Sequence, residues 1–295
     1  MLLAIDVGNT NIVLGVFERK TLVQSWRLQT LRERTADELG LLVEGLFEHR
    51  GIRPSQIEGI ILGSVVPPLT GTTSLMVERY FNRSPIVVDP PRNTGMPILY
   101  DQPDEVGADR IVNAIAAYEQ FGAASGRPLI VCDFGTATTL DAVSAKGEYL
   151  GGAICPGVTI SADALFQRAA RLPRIDVRKP SSVIGRTTVG AMEAGLFYGY
   201  VGMVEGLVRR MNAELGGNAI CIATGGLATV IAPETGLIEH VDVDLTLHGL
   251  RIVWERNSRS PGGARQMPND HIARRRGQTR APVLPADRVA SVPQE

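Results

Sequence analysis

Two short segments with the same pattern constrain the fold of this chain more than any other feature of its sequence. Each begins with an apolar run, MLLAI or PLIVC, and continues as DVGNTN at residues 6–11 or as DFGTAT at residues 133–138. An apolar run followed by Gly and small polar residues is typical of a buried strand that ends in a tight turn. A chain that repeats this unit in both halves is expected to contain a duplicated supersecondary structure.

Similar elements are predicted after both turns. Strands are expected over residues 11–17 and 22–28 in the first half, and over 138–143 and 149–155 in the second. The remainder of each half contains helical patterns between further apolar strands, and such alternation indicates an α/β fold. The helical segment TADELGLLVEGLFEHRG is expected to be capped by Thr35.

Changes in composition predict the domain organisation. The segment FGAASGRP separates an N-terminal lobe, residues 1–122, from a C-terminal lobe, residues 123–256. Residues 257–295 are rich in Pro, Gly, Ser and Arg and lack periodic apolar residues, which is typical of a disordered basic tail. We expect a solvated tail rather than an arm that binds nucleic acid or membrane.

The overall composition excludes several classes of protein. The 295 residues carry 30 basic and 31 acidic side chains, and a net charge of −1 predicts no electrostatic preference for nucleic acid or membrane. Cys132, Cys155 and Cys221 are scattered, which favours a reducing cytoplasm over a disulfide framework. Since no apolar run reaches about 18 residues, we expect no transmembrane helix.

The Asp-X-Gly turns have the chemistry of a phosphate site. Gly lets a phosphate approach the backbone, successive N–H groups form an anion-binding concavity, and the Asp carboxylate can hold a metal ion. One copy alone is better explained as an ordinary turn, but two copies with matching strands favour a polyphosphate held between them. A third segment, TGG at residues 224–226, follows a strand and is compatible with nucleotide contact or with a plain loop.

A second candidate site lies in the segment YDQPDEVGADRIVNAIAAYEQF. Asp104 is expected to cap a helix, and Gly107 in its first turns indicates close approach by another group. Asp109 has the chemistry to accept a proton from a substrate hydroxyl, and Arg110 to bind an anionic group. The alternative is an ordinary Asp and Arg on a solvated helix face.

The duplicated organisation resembles the superfamily of actin, sugar kinases and Hsp70, which has duplicated ribonuclease-H-like domains with an ATP cleft between the two lobes. The motifs that carry a closer resemblance occur in the order DVGNTN, GADR, DFGTATT, GGAICPG, GRTTVGAMEAGLFYG and TGG. Together they resemble the type III pantothenate kinases over residues 1 to about 255. One difference is that Thr187-Thr188 stands where the family often has Asn-Thr.

This resemblance implies a phosphotransferase that uses ATP to convert pantothenate into 4'-phosphopantothenate, the first step of coenzyme A synthesis from pantothenate. It implies Mg²⁺ with the nucleotide, a monovalent cation (K⁺ or NH₄⁺), and a homodimer with the pantothenate site near the dimer interface. Together with the composition, it predicts a cytoplasmic enzyme without nucleic-acid or membrane partners.

The resemblance also assigns roles to individual residues. ATP is expected to contact Asp6, Val7, Gly8, Asn9, Thr10, Asn11, Ile12, Val13 and Thr136. Pantothenate is expected to contact Tyr100, Gly107, Ala108, Asp109, Arg110 and Thr188. Asp109 corresponds to the general base for the primary hydroxyl of the substrate, and Asp133 to a ligand of the monovalent cation.

Two other functions compete with this prediction. A kinase for another small molecule, such as a sugar, would keep both turns but would not require GADR with Tyr100 upstream. A non-catalytic regulator that retained the nucleotide cleft is expected to lose its carboxylates first. The presence of Asp6, Asp109 and Asp133 argues against that regulator.

Overall fold

The strands of this computed structural model, which describes residues 1–169 and 171–259, form two five-stranded sheets. The N-terminal sheet contains β1 (Leu2–Val7), β2 (Asn11–Glu18), β3 (Thr21–Gln29), β4 (Gly59–Ser64) and β5 (Ile86–Val87). The C-terminal sheet contains β6 (Leu129–Phe134), β7 (Ala137–Val143), β8 (Tyr149–Pro156), β9 (Ile220–Thr224) and β10 (His240–Val241).

Helices follow the strands in each half. In chain order they are α1 (Ala36–His49), α2 (Pro67–Phe81), α3 (Pro90–Asn93), α4 (Ala108–Ala117), α5 (Ala123–Ser125), α6 (Val158–Arg168), α7 (Thr188–Glu214), α8 (Ala228–Thr235) and α9 (Leu245–Arg259). Short 3₁₀ helices span Pro54–Gln56 and Pro103–Glu105, and a π-helix spans Tyr118–Gly122. Among the described residues, no helix is both long and apolar enough to cross a membrane.

The two sheets have the same topology, which confirms the predicted duplicated α/β fold. Their strand orders are β3-β2-β1-β4-β5 and β8-β7-β6-β9-β10. In each sheet the first three strands of the half are antiparallel neighbours, and the last two strands extend the sheet in parallel. Asp6 lies near the end of the central strand β1, and Asp133 has the same place on β6.

Alternating side chains divide the core into layers. The outer face of the N-terminal sheet, which includes Leu3 and Ile5, packs against α1 and α2. The outer face of the C-terminal sheet, which includes Ile130 and Cys132, packs against α7 and α8. The inner faces of both sheets share one apolar cluster with α4 and α9. The last layer therefore joins the two halves of the chain.

The final helix packs against the first sheet. Side-chain atoms of Leu247 lie 2.8 Å from the position that a Cβ of Gly15 would occupy, and those of Trp254 lie 2.4 Å from the corresponding position at Gly59. Gly residues on β2 and β4 thus allow close contact with α9. The two-lobe boundary at residue 122 stays a prediction, because α9 follows one sheet and contacts the other.

Sequence signals at two helix ends have different outcomes. Thr35 caps α1 as predicted, since its hydroxyl accepts a hydrogen bond from the Glu38 N–H at 3.3 Å while the Glu38 carboxylate accepts the Thr35 N–H at 2.7 Å. The predicted tail starts at residue 257, whereas α9 continues through Arg259. The rest of that predicted tail, residues 260–295, lies outside the described residues.

Candidate active site

The two Asp-X-Gly turns meet at the same place in the molecule. The Gly8 N–H donates to the Asn11 carbonyl at 3.0 Å, and the Gly135 N–H donates to the Ala137 carbonyl at 3.1 Å. The hydroxyls of Thr10 and Thr136 lie 2.6 Å apart and form a hydrogen bond across the two halves. The turns therefore face each other as the duplicated motif predicted.

The carboxylates of Asp6, Asp109 and Asp133 form one acidic site. Burial, with added repulsion from Asp109 and Asp133, raises the pKa of Asp6 to about 8. Burial, with added repulsion from Asp109 and Asp141, raises the pKa of Asp133 to about 7. Such raised values are typical of functional carboxylates, which need cations or protons to offset their charge.

Helix α4 brings Asp109 to this site, but its N-terminal residue is not the one predicted. The N-cap is Gly107, whereas Asp104 belongs to the preceding 3₁₀ helix and forms an ion pair with Arg92 at 3.1 Å. The prediction that Asp104 caps the helix was therefore wrong, because the chain forms a separate 3₁₀ turn at Asp104 and α4 begins only after Gly107. A Cβ at Gly107 would lie 2.6 Å from Asp109 Oδ1, so the close neighbour inferred for Gly107 is Asp109 itself.

Asp109 is held by its own helix. Its Oδ1 accepts the backbone N–H of Arg110 at 2.8 Å, which leaves Oδ2 outside that hydrogen bond. Burial raises the pKa of Asp109, and the Arg110 N–H opposes the shift. Since most residues of α4 are buried, the alternative of an ordinary solvated helix face is wrong.

Arg110 is paired with an acid that the sequence analysis did not single out. Its Nε and Nη2 lie 2.8 and 2.6 Å from Asp141 Oδ1, and its side chain is only 10% exposed. Asp141 also accepts the Tyr149 hydroxyl at 2.8 Å and the Thr139 hydroxyl at 3.0 Å. An acidic residue within the apolar strand β7 was the available signal for such a buried network. Anion binding by Arg110 stays a prediction.

Tyr100 lies next to this network. Its ring centroid is 6.4 Å from that of Tyr149, and Tyr149 in turn lies beneath the Arg110 guanidinium at 5.7 Å. The segment before Tyr100 is fixed by backbone hydrogen bonds, because the Leu99 N–H donates to the Tyr149 carbonyl at 2.8 Å. The structure therefore brings Tyr149 of β8, which is distant in the sequence, next to both Tyr100 and Arg110.

Thr188 is not joined to these groups by a hydrogen bond among the described residues. It is the exposed first residue of α7, and the helix is capped by Thr187, whose hydroxyl accepts the Gly190 N–H at 3.1 Å. No hydrogen bond within residues 1–169 and 171–259 joins Thr188 to α4 or to either turn. Thr187, the position that differs from the family pattern, thus has a structural role of its own.

Arg27 and Asn113 are further residues that the sequence analysis missed. Arg27 on β3 pairs with Val13, which pairs with Asp6, so the three side chains share one face of the N-terminal sheet. The positive charge of Arg27 partly opposes the rise in the pKa of Asp6 that burial causes. Asn113, one turn after Asp109, donates to Asp133 Oδ2 at 3.0 Å. Neither residue belongs to a motif, so only the folded geometry identifies it.

The carboxylates of this site are suited to a cation that is also bound by phosphate oxygens of a ligand. No group of three or more His, Cys, Asp or Glu side chains forms a metal cage within the part of the chain that the structure describes. Mg²⁺ in phosphoryl-transfer sites is usually held by one or two carboxylates together with phosphate oxygens and water. Asp6 and Asp133, beside two hydroxyl-bearing turns, meet that requirement.

Solved structures of other proteins share this fold. A Baf family protein from Campylobacter jejuni has a TM-score of 0.55 at 20% identity, covering 87% of this chain and 98% of its own. The ethanolamine utilization protein EutJ from Carboxydothermus hydrogenoformans has a TM-score of 0.50 at 15% identity, covering 85% of this chain and 89% of its own. At these identities the similarity establishes the fold alone.

Sequence relatives are much closer. A type III pantothenate kinase of Myxococcus xanthus is 58% identical over 260 residues, which cover 88% of this chain and 100% of the relative. A type III pantothenate kinase of Moorella thermoacetica is 54% identical over 258 residues, again 88% of this chain and 100% of the relative. The family profile described as type III pantothenate kinase matches residues 2–210. The chain therefore belongs to the type III pantothenate kinase family.

Proposed function

We propose that this protein transfers the γ-phosphoryl group of ATP to the primary hydroxyl of pantothenate, forming 4'-phosphopantothenate and ADP. This reaction is the first step of coenzyme A synthesis from pantothenate. The observation that carries the proposal is the convergence of Asp6, Asp109 and Asp133 on two facing turns. Family membership supplies the identity of the substrate.

Asp109 is the general base in this proposal. Its Oδ2, which is outside the hydrogen bond to the Arg110 N–H, orients the pantothenate hydroxyl and accepts its proton as the new P–O bond forms. The bond between the γ-phosphorus and the bridging oxygen breaks, and ADP leaves with that electron pair. Burial raises the pKa of Asp109, which makes its carboxylate a stronger base than an exposed Asp.

The two turns bind the nucleotide. The proposed ATP contacts are residues 6–13 and Thr136, and the Thr10–Thr136 hydrogen bond supports contact of both turns with one polyphosphate. Phosphoryl transfer has a loose transition state, so positioning and charge neutralisation supply most of the catalysis. Arg27, which faces Asp6 from β3, adds positive charge on this side of the site.

Cations complete the charge balance. Mg²⁺ would bind with the nucleotide near Asp6, and K⁺ or NH₄⁺ would bind at Asp133. Such cations neutralise phosphate charge as it shifts from the γ-phosphoryl group to the leaving ADP. The raised pKa values of Asp6 and Asp133 support cation binding, because a cation offsets the repulsion between these carboxylates.

Pantothenate binds along α4 in this proposal. Gly107, Ala108 and Arg110 line its path to Asp109, and Tyr100 lies beside Tyr149 and the Arg110 guanidinium. Arg110 keeps Nη1 outside its contact with Asp141, so this nitrogen is available to a substrate carboxylate. Thr188, at the start of α7, is the remaining proposed contact.

The protein is proposed to be a homodimer. Apolar side chains are exposed at Ile154 on the edge strand β8 (65%), at Val183 (64%) and at Ile184 (80%). Exposed apolar groups of this kind are typical of protein contact surfaces, and a second copy of the chain is the proposed occupant. A cytoplasmic location without nucleic-acid or membrane partners is part of the proposal and is supported by free cysteines and the net charge of −1.

Pantothenate-dependent ADP formation by the full chain tests this function, with MgATP and either K⁺ or Na⁺. Asp109→Asn should lower kcat by about 10²–10⁴-fold while leaving the Tm close to that of the parent. Asp101→Asn, which changes an exposed acid in the preceding loop, is the matched control and should retain turnover.

Four results would contradict parts of the proposal. Full turnover by folded Asp109→Asn would remove its role as base. Equal turnover in K⁺ and Na⁺ would remove the cation site at Asp133. Turnover with sugars but not with pantothenate would assign the site to another kinase reaction, and no turnover with either would favour the non-catalytic regulator.

A further inference from the structure

A buried side-chain amide links three elements of the fold at Asp133. Asn113 on α4 is 1% exposed, and its Nδ2 donates to Asp133 Oδ2 on β6 at 3.0 Å. Its Oδ1 accepts the hydroxyl of Thr246 on α9 at 2.7 Å. Both ends of the amide are therefore satisfied, which gives it one preferred orientation.

The second oxygen of the Asp133 carboxylate is confined from the other side. Gly225, at the end of β9, has φ +91°, and a Cβ there would lie 2.4 Å from Asp133 Oδ1. A Cβ at Gly135 would lie 3.4 Å from the same oxygen. Gly at these two positions lets the backbone approach Oδ1 closely without a side chain between them, while Oδ2 is held by Asn113.

We infer that Asn113, held by Thr246, is a positioning residue that orients Asp133 so that its Oδ1 faces the monovalent cation. The inference rests on the proposed function, since that function provides the cation. An amide suits this place because it donates to a carboxylate and accepts from a hydroxyl at the same time. Hydrogen bonds to charged groups are also stronger than those between neutral groups.

Helix α4 carries both the proposed base, Asp109, and the amide that holds the proposed cation ligand, Asp133. Asn113 follows Asp109 by one helical turn, so both side chains lie on the same face of α4. A shift of this helix would move the proposed base and the support of Asp133 together. The same amide connects α9 to the site, although α9 itself contributes none of the proposed substrate contacts.

Titrations with KCl test this inference in two ways, at constant ionic strength. The first titration measures the K⁺ concentration that gives half-maximal turnover. The second uses MgADP, so that no turnover occurs, and measures the K⁺ concentration that gives half of the maximal rise in Tm. Asn113→Ala should raise both K⁺ concentrations by about tenfold or more, because a hydrogen bond to a charged group is lost. The KM for pantothenate should change by less than about twofold.

Thr246 provides a milder pair of variants in case Asn113→Ala folds poorly. Thr246→Val removes the hydroxyl and should raise both K⁺ concentrations by about twofold to fivefold, since it loses one neutral hydrogen bond. Thr246→Ser retains the hydroxyl and should restore values to within about twofold of the parent. This contrast separates loss of the hydrogen bond from general disturbance of α9.

The outcomes distinguish this inference from the proposed function. Parent protein that turns over pantothenate with K⁺ dependence, but whose K⁺ constants are unchanged by Asn113→Ala and Thr246→Val, would overturn the inference alone. A general fall in kcat and Tm without a change in the K⁺ constants would indicate a purely structural role and overturn it as well. Parent protein without K⁺ dependence would remove both the cation site and the inference.

Discussion

Asp6 and Asp133 occupy equivalent places in the two halves, yet their surroundings differ. Both lie near the end of the central strand of a sheet, before a turn closed by a Gly N–H. Asp133 accepts a hydrogen bond from Asn113, whereas the Asp6 carboxylate makes none with another described residue and has the charge of Arg27 nearby. Burial raises the pKa of both carboxylates, and this rise is opposed by the Arg27 charge at Asp6 and by the Asn113 hydrogen bond at Asp133.

The comparison shows how a duplicated frame gives its two equivalent carboxylates different surroundings. Strand order and turn geometry place the carboxylates alike, and the helices between the sheets make them different. A carboxylate fixed by a buried amide suits an ion bound in a constant position. A carboxylate without such support is free to follow a ligand that enters and leaves, such as a nucleotide with its metal.

The largest expected effect comes from the glycine that borders only the second carboxylate. Gly225→Ala should lower the free energy of unfolding by about 1–3 kcal/mol, since its φ of +91° is strained for Ala and the new Cβ would meet Asp133 Oδ1. Turnover should fall at least tenfold. Chemical denaturation and steady-state kinetics measure these changes.

Gly226→Ala is the matched control for this variant. It has no atom within 4 Å of the added Cβ and lacks the positive φ, so its stability should stay near that of the parent. Equal effects of the two substitutions would show that the fixed position of Asp133 does not depend on the space at Gly225.

The next effect concerns pH and distinguishes the two carboxylates directly. With a pKa of about 8 in the folded protein and 3.8 ordinarily, Asp6 binds more protons when folded than when unfolded between these pH values. The free energy of unfolding therefore falls as pH rises through this range. Asp6→Asn removes that loss, so the Tm without ligands should rise at pH 8.5 by a few degrees, on the order of 5 °C.

Asp133→Asn should also raise the Tm relative to the parent, and this gain should stop growing at a lower pH than it does for Asp6→Asn. Its gain over the parent should level off near pH 7, because the pKa of Asp133 is about 7. Tm measurements from pH 5 to 9, without nucleotide or added cations, would compare both variants. A Tm for Asp6→Asn at or below the parent value at pH 8.5 would contradict the assigned charge state.

The smallest effect concerns the contact that joins the two turns. Thr10→Val and Thr136→Val each remove one partner of the 2.6 Å hydrogen bond, and both residues are exposed. A double-mutant cycle should give a coupling energy of about 0.5–1 kcal/mol in stability. The KM for ATP should rise severalfold in each single variant. Additive stability effects would show that the turns are held in place by their sheets alone.

Local patterns in the sequence predicted the turns and strands of the site, but not the side chains that hold its carboxylates in place. The Asp turns, the strands beside them and the Thr35 cap depend on residues close in the chain, so their signals are local. Asn113 contacts partners far away in sequence, Asp133 and Thr246, and no spacing rule relates these three positions. Its role therefore emerges only when α4 and α9 pack together.

The partners of charged residues were also difficult to predict from the sequence. Asp104 was expected to cap α4, but it lies in the preceding 3₁₀ helix and Gly107 takes the N-cap position. Asp141, which lies between two apolar residues on β7, was a signal that the sequence analysis did not use, since an acid within a buried strand requires a partner. Its partner Arg110 was predicted as a substrate contact from the GADR motif, and that contact stays a prediction. The ion pair with Asp141 becomes visible only when the strands and α4 are assembled.

The packing of α9 on the N-terminal sheet has a consequence for synthesis. Ribosomes add about 5–20 residues per second, so the first sheet emerges on the order of ten seconds before the helix that covers its inner face. Leu247 and Trp254, which fill the spaces above Gly15 and Gly59, are among the last described residues to be made. A chain that stopped before Leu245 would contain both Asp-X-Gly turns and still lack the residues that cover the inner face of its N-terminal sheet.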